Sequence, residues 1–218
     1  YSQLIHSSQA FTKGNISLLL LISFIFLISP PFISRDAASY SIISQNFFFH
    51  HTNPYTSPIA HPDNPWVSEI GNIWWLNSPS PYGPMNLLLS FPSSVFSLGS
   101  LLLSIYVYKI LIYITYGLII KLIYLFTNKN FHITTLYALN PAVLLLGLTD
   151  AHNDLIIILF LLISLRFLQN SKYTHSYFSL LTSTLIKFNT LILLPLTFVR
   201  NQKVSFKNVF LSISLTTI

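Results

Sequence analysis

The chain has no cysteine, and only 7% of its 218 residues are charged. The first absence removes disulfides and thiolate metal sites. The second separates it from ordinary soluble domains, which carry about 25% charged residues. With 52% hydrophobic residues and a mean hydropathy of +0.63, an all-α, polytopic transmembrane protein is expected, with the bilayer as its main solvent and partner. A Gly-rich phosphate loop of the kind that cradles nucleotides is also missing. The net charge of +6 comes without a dense basic run interleaved with aromatics. Nucleic acid is therefore not an expected partner, since Lys and Arg accumulate in the cytoplasmic loops of membrane proteins. Residue 1 is Tyr rather than Met, and "FLSISLTTI" at the other end opens an apolar run. The chain reads as the N-terminal part of a longer polytopic protein.

What is present falls into alternating apolar and polar blocks. After a cytoplasmic segment at 1–15 comes Ile16–Ile33, 18 residues without a charge, about the length that spans a hydrocarbon core of roughly 30 Å. It is longer than the apolar region of a signal peptide, and no small-residue cleavage site follows. A retained transmembrane helix is expected at 16–33. Residues 34–86 hold seven of the twelve prolines and all three tryptophans, Trp66, Trp74 and Trp75. Proline at this density excludes long helices and central strands, and long ordered loops are usually functional. Its first part, Asp36–Phe49, lacks Pro and Gly and is expected as a helix near the surface. From 87 to 218 a multi-helix membrane region follows. It includes a short interfacial helix at Asn86–Leu98, a spanning helix at about Ser100–Phe126, and a turn at Thr127–Asn130. Two further apolar runs, Ile133–Leu148 and Leu155–Leu168, hinge at "TDAHND", the first broken at Asn140-Pro141.

Lys129, Arg166, Lys172, Arg200, Lys203 and Lys207 flank apolar runs, which makes those ends cytoplasmic. All five acids then fall on the outer face: Asp36, Asp63 and Glu69 in the long loop, Asp150 and Asp154 in the hairpin tip. If Lys172 and Arg200 are both inside, Tyr177–Val199 must be two half-helices turning at Lys187-Phe188-Asn189. The alternative is a single crossing with Arg200 outside. The half-helix form keeps Lys187 from facing lipid, which costs about 2.5–3.5 kcal/mol.

Several residues can carry chemistry. Asp36, in "SRDAASY" just beyond the first apolar run, is a candidate general base, or else half of an interfacial ion pair with Arg35. In "DAHND", Asp150 and Asp154 are i,i+4 neighbours if helical and repel. A cation, a proton or a hydroxyl-rich ligand would compensate, unless the segment is only a hydrated tip. His50, His51 or His61 are the candidates to complete a metal site there, but the spacing matches no strong metal motif, and neither metal nor cofactor is expected. Lys187 and Lys109 sit inside apolar runs, where an ionisable group suggests function; snorkelling is the plainer explanation for Lys109 and less so for Lys187. The loop aromatics are candidates to stack on sugar faces, or form an ordinary interfacial belt. Together these parts suit transfer of a sugar from a lipid phosphate. That reaction needs one carboxylate to deprotonate the acceptor and cations for the developing phosphate charge.

"SRDAASY", "NPYTSP", "NPW", "SPYGP", "LNPAVLL" and "AHND" occur in this order. The set resembles the polyprenol-phosphate-mannose-dependent α-1,6-mannosyltransferases of the GT-C membrane type, from about Pro31 to Pro195. The resemblance implies an inverting, metal-independent transfer at the outer membrane face. The polyprenyl-phosphate sugar would be the donor, and an envelope glycan or glycolipid the acceptor. It implies Asp36 as the base. Arg35, Lys187 and Lys109 are then expected to hold phosphate, and Tyr40, Tyr82, Asp150, His152, Asn153 and Asp154 to bind sugar or shape the site. A transporter or flippase for a lipid-linked or soluble solute is the alternative; it predicts internal repeats, and none is visible. A non-catalytic membrane scaffold is the third reading.

Overall fold

The computed structural model describes residues 13–71 and 73–194. They are helical, with no strand among them. The segments 1–12 and 195–218, the latter with Arg200, Lys203 and Lys207, lie outside the described residues.

The first helix, α1, runs over Lys13–Ile28. It stops five residues short of the expected span because Pro30 and Pro31 follow, and a residue before proline is pushed out of helical geometry. α2 (Asp36–Phe49) forms where expected, but it does not lie near the surface. Ala37 through Ser44 are all buried. Its "AASYSIIS" run offers small side chains on every face, which lets neighbouring backbones approach. It packs on α4 (Pro84–Val95) and α5 (Leu101–Phe126). Serines bridge these contacts: Ser41 Oγ meets Ser93 Oγ at 3.3 Å, and Ser94 Oγ donates to the Ser41 carbonyl.

The proline-rich loop between α2 and α4 is ordered, as its composition predicts. It contains the short helix α3 (Trp66–Ile70) and a 3₁₀ turn at Trp74–Asn77. Asn46 and Asn64 organise it. Asn64 Nδ2 donates to Asn46 Oδ1 at 2.7 Å, and Asn46 Nδ2 donates to the Ile59 carbonyl at 2.8 Å. Trp66 is wholly buried in a core with Ile42, Ile59 and Leu76, and its Nε1 donates to the Gly99 carbonyl. It is neither an interfacial belt residue nor a free stacking surface.

α5 begins at Ser100, whose side chain accepts from the Leu103 amide, a standard N-terminal cap. After the turn at Thr127–Asn130 the chain returns through α6 (Phe131–Ala138) and a π-helical segment (Val143–Thr149), bent by 58° at Asn140-Pro141. α7 (Asp154–Gln169) leads away again and α8 (Tyr173–Ile186) comes back, packed along it. α8 breaks where expected: Lys187 is extended, and a 3₁₀ turn covers Phe188–Leu193. Because Arg200 is not described, the choice between hairpin and single crossing falls outside these residues.

Among the described residues α5 is the one helix long and apolar enough to cross a membrane. The bent pair of α6 and the π segment passes the same test if taken as one span. The main core surrounds α5, with Tyr108, Ile112, Tyr116 and Ile119 against Leu148, Leu155 and Ile156. The opposite face of α5 presents Leu102, Ile110, Ile114 and Leu118 outward.

Candidate active site

Two helix N-termini converge at one end of the bundle. Asp36 is the first residue of α2 and Asp154 the first of α7, both favourable places for a carboxylate against the helix dipole. His152 stands between them. Its Nδ1 is 3.3 Å from Asp36 Oδ2 and 3.7 Å from Asp154 Oδ2. On the far side, Lys187 Nζ is 3.3 Å from Asp154 Oδ1. The break after α8 explains the last contact, because the extended Lys187 ends a helix that has returned to this level.

Tyr40, one turn along α2, donates its hydroxyl to Asp36 Oδ2 at 3.3 Å. Its ring is fully buried between Tyr82, edge-on at 4.8 Å, and Tyr108 at 5.3 Å. Burial pushes the Tyr40 phenol well above its usual range and the Tyr82 phenol up to about 12, so both stay protonated. Asp36 Oδ2 thus serves Tyr40 and His152. Its Oδ1 has no hydrogen-bond partner among the described residues.

Asp36 lines a cavity of about 280 Å³ with Ser39, Ile59, Trp75, Ser78, Pro79, Pro81 and Tyr82. On the other side, His152 and Asp154 head a groove of about 270 Å³, otherwise lined by apolar residues including Val143, Leu146, Leu155 and Ile158. The carboxylate–imidazole cluster therefore separates a cavity with aromatic, proline and a few polar residues in its wall from a more purely apolar groove.

Four residues expected to touch substrate are placed otherwise. Arg35 is exposed and does not pair with Asp36; its Nη1 donates to the Ile70 carbonyl in α3. Asp150 is fully buried, and its two oxygens accept the amides of Phe32, Ile33 and Ser34 at 2.9, 3.2 and 3.1 Å. Lys109 is fully buried too, with Nζ donating to the carbonyls of Phe26, Ser29 and Thr149. Asn153 is buried and donates to Asn86 Oδ1 at 3.0 Å. All four side chains spend hydrogen bonds on backbone or amide groups of a neighbouring segment.

Of the other acids, Asp63 is exposed beside His61, and Glu69 is exposed on α3. His50 and His61 stack on each other at 5.3 Å. No group of three or more His, Asp or Glu is placed to hold a metal ion among the described residues. Ser39 and Ser78, which line the cavity, carried no signal in sequence. Asn86 carried a weak one, as a polar residue just inside an apolar run.

Comparison with known families first gives the class of protein: the chain is a glycosyltransferase. It belongs to the family described as alpha-(1->6)-mannopyranosyltransferase, N-terminal domain, whose family model matches residues 7–201. No curated protein and no solved structure matches it.

Proposed function

We propose that the chain carries the catalytic end of a multi-pass membrane mannosyltransferase, with its active site on the outer face. It would take mannose from a polyprenyl-phosphate sugar and pass it to an envelope glycan or glycolipid. One observation carries this reading: the Asp36 carboxylate, with one oxygen held by Tyr40 and His152 and the other unbonded, lies in the wall of a sugar-sized cavity, with Asp154 linking His152 to Lys187 behind it. Trp75 and Tyr82 give that cavity flat apolar surfaces against which a sugar ring packs. The apolar groove beyond His152 and Asp154 suits the first isoprene units of the lipid.

In this reading Asp36 Oδ1 removes the proton from the acceptor hydroxyl. That oxygen attacks the anomeric carbon from the face opposite the phosphate. The bond from the anomeric carbon to the phosphate oxygen breaks with its electrons going to phosphate, and the configuration inverts. Phosphate leaves without prior protonation, so one carboxylate suffices. His152 and Lys187 face the developing charge, and Asp154 holds both in place.

The test is sugar transfer by the full-length protein in membranes supplied with radiolabelled polyprenyl-phosphate mannose. Asp36→Asn keeps size and hydrogen bonding but removes the base. A loss of about 10²–10⁴-fold is expected, with donor binding retained. Undiminished transfer would return Asp36 to a structural role. No transfer by the unaltered protein would point to another donor sugar or to solute transport.

A further inference from the structure

Two fully buried charges take no part in that chemistry. Asp150 and Lys109 make no ion pair with each other among the described residues. Instead each is spent on backbone. Asp150 accepts three consecutive amides, from Phe32, Ile33 and Ser34, in the segment leading out of Pro30-Pro31. Lys109 gathers three carbonyls: Phe26 and Ser29 at the end of α1, and Thr149 just before Asp150. Burying a charge is costly unless every lone pair or proton is engaged. Here all three Lys109 protons are, and Asp150 engages three of its roughly four lone-pair sites, which a neutral side chain does not reproduce at either position. Asn offers one acceptor oxygen where Asp150 offers two, and a neutral Met offers no donor where Lys109 offers three.

The placement of these bonds matters more than their number. Ser34 lies two residues before Asp36, and its Oγ accepts the Asp36 amide at 3.1 Å. Asp150 lies two residues before His152, across the tight turn in which buried Ala151 adopts φ 54°. The clamp therefore joins the two backbone segments immediately preceding the two groups whose separation defines the site. We propose that Asp150, Lys109 and Ser34 are positioning residues for the transfer: they lock the approach to α2 against the approach to α7 and so set the distance from the Asp36 carboxylate to His152. This inference rests on Asp36 being the base.

The test compares Asp150→Glu with the unaltered full-length protein. Glutamate keeps the charge and the acceptor oxygens but is longer by one methylene, so the 32–34 backbone is pushed away by about 1 Å. Misplacement on that scale lowers kcat by roughly 10- to 100-fold while leaving the donor KM within about twofold. Lys109→Met is expected to show the same split. Ser34→Ala, which removes only the last link to Asp36 from a half-buried site, should fold normally and lower kcat by about 3- to 10-fold at unchanged KM. It decides the matter should Asp150→Glu fail to accumulate. Wild-type kcat in a folded Asp150→Glu or in Ser34→Ala overturns the proposal. If Asp36→Asn is inactive while these variants are unimpaired, the clamp alone is wrong. If Asp36→Asn is fully active, the reading of the site falls with it.

Discussion

His152 is shared by two carboxylates, and this gives the site a defined pH dependence. Its hydrogen bond to Asp154 is the main reason that its pKa is raised above an ordinary imidazole; the Asp36 and Asp150 charges add to this and burial opposes it. The same bond is the main reason that Asp154 falls below the usual carboxylate range, with Lys187 helping and burial opposing. The geometry ranks the two carboxylates the other way, since the Asp36 oxygen is the nearer to Nδ1, at 3.3 against 3.7 Å. Nδ1 is therefore shared between the two carboxylates. A raised imidazole pKa adds stability that is complete below the ordinary value and is lost as pH rises through the raised one. A lowered carboxylate pKa adds stability that is complete above the ordinary value and is lost as pH falls through the lowered one. The cluster thus stabilises most between about pH 4 and pH 6.5. His152→Gln should lower the melting temperature more at about pH 5.5 than at about pH 8.5. Thermal melting of the two proteins at both values checks this, and equal losses at both would exclude an ionic role for His152. Asp36, His152 and Asp154 were legible in sequence because acids are rare in this chain and these fall in short motifs. Asp150 and Lys109 were legible as unusual, but sequence does not show what a buried charge meets.

Three elements start, bend or stop where the sequence supplies a local reason, although α4 runs through Pro92, and the least legible one supplies none. Pro30-Pro31 closes α1, Ser100 opens α5, and Asn140-Pro141 bends the α6 return. The π-helical segment Val143–Thr149 has no such marker. It is an ordinary apolar run whose wider turn is recognisable only from bonds such as the Asp150 amide to the Leu145 carbonyl at 3.0 Å. The burial of α2 was hidden too, because small Ala and Ser side chains suit a surface helix or a tightly packed one equally. One close approach between elements governs the site. The Gly83 amide donates to the Ile186 carbonyl at 2.9 Å, and a Cβ on Gly83 would lie 2.2 Å from the Leu185 carbonyl oxygen. The φ of Gly83 is −75°, which any residue adopts, so the demand for glycine is purely steric. Gly83→Ala must part the loop from the end of α8, at a cost of about 1–3 kcal/mol. It should also loosen Lys187 from Asp154, one residue beyond the contact. A lower melting temperature together with weaker donor binding is expected. An unshifted melt would show that the two backbones separate freely.

At the scale of the whole molecule, α5 and α7 leave the site end of the bundle, and α6 with its π segment and α8 return to it. Lys129 after α5, Arg166 in the last turn of α7 and Lys172 before α8 are all exposed at the far end. Asp36 and Asp154 lie toward the near end, at the level where Tyr40 meets Tyr108, and the stretch of α5 from there to Lys129 is about 30 Å of helix. This is the separation of cations from acids that the positive-inside pattern anticipated, and it orients the molecule if α5 crosses the bilayer. These 218 residues hold no cysteine, so once any cysteine elsewhere in the full-length protein is replaced, single introduced thiols make the orientation measurable. Glu69→Cys on α3, Lys129→Cys and Lys172→Cys all replace exposed residues outside the site cluster. In intact cells a membrane-impermeant maleimide should label Glu69→Cys and spare the other two. In inside-out vesicles the pattern should reverse. Labelling of Glu69→Cys and Lys129→Cys from the same side would mean that α5 does not cross, and the outer-face site would fall with it. Opposite sides with the inverse polarity would keep the crossing but place the carboxylates in the cytoplasm, where a soluble nucleotide sugar becomes the more accessible donor.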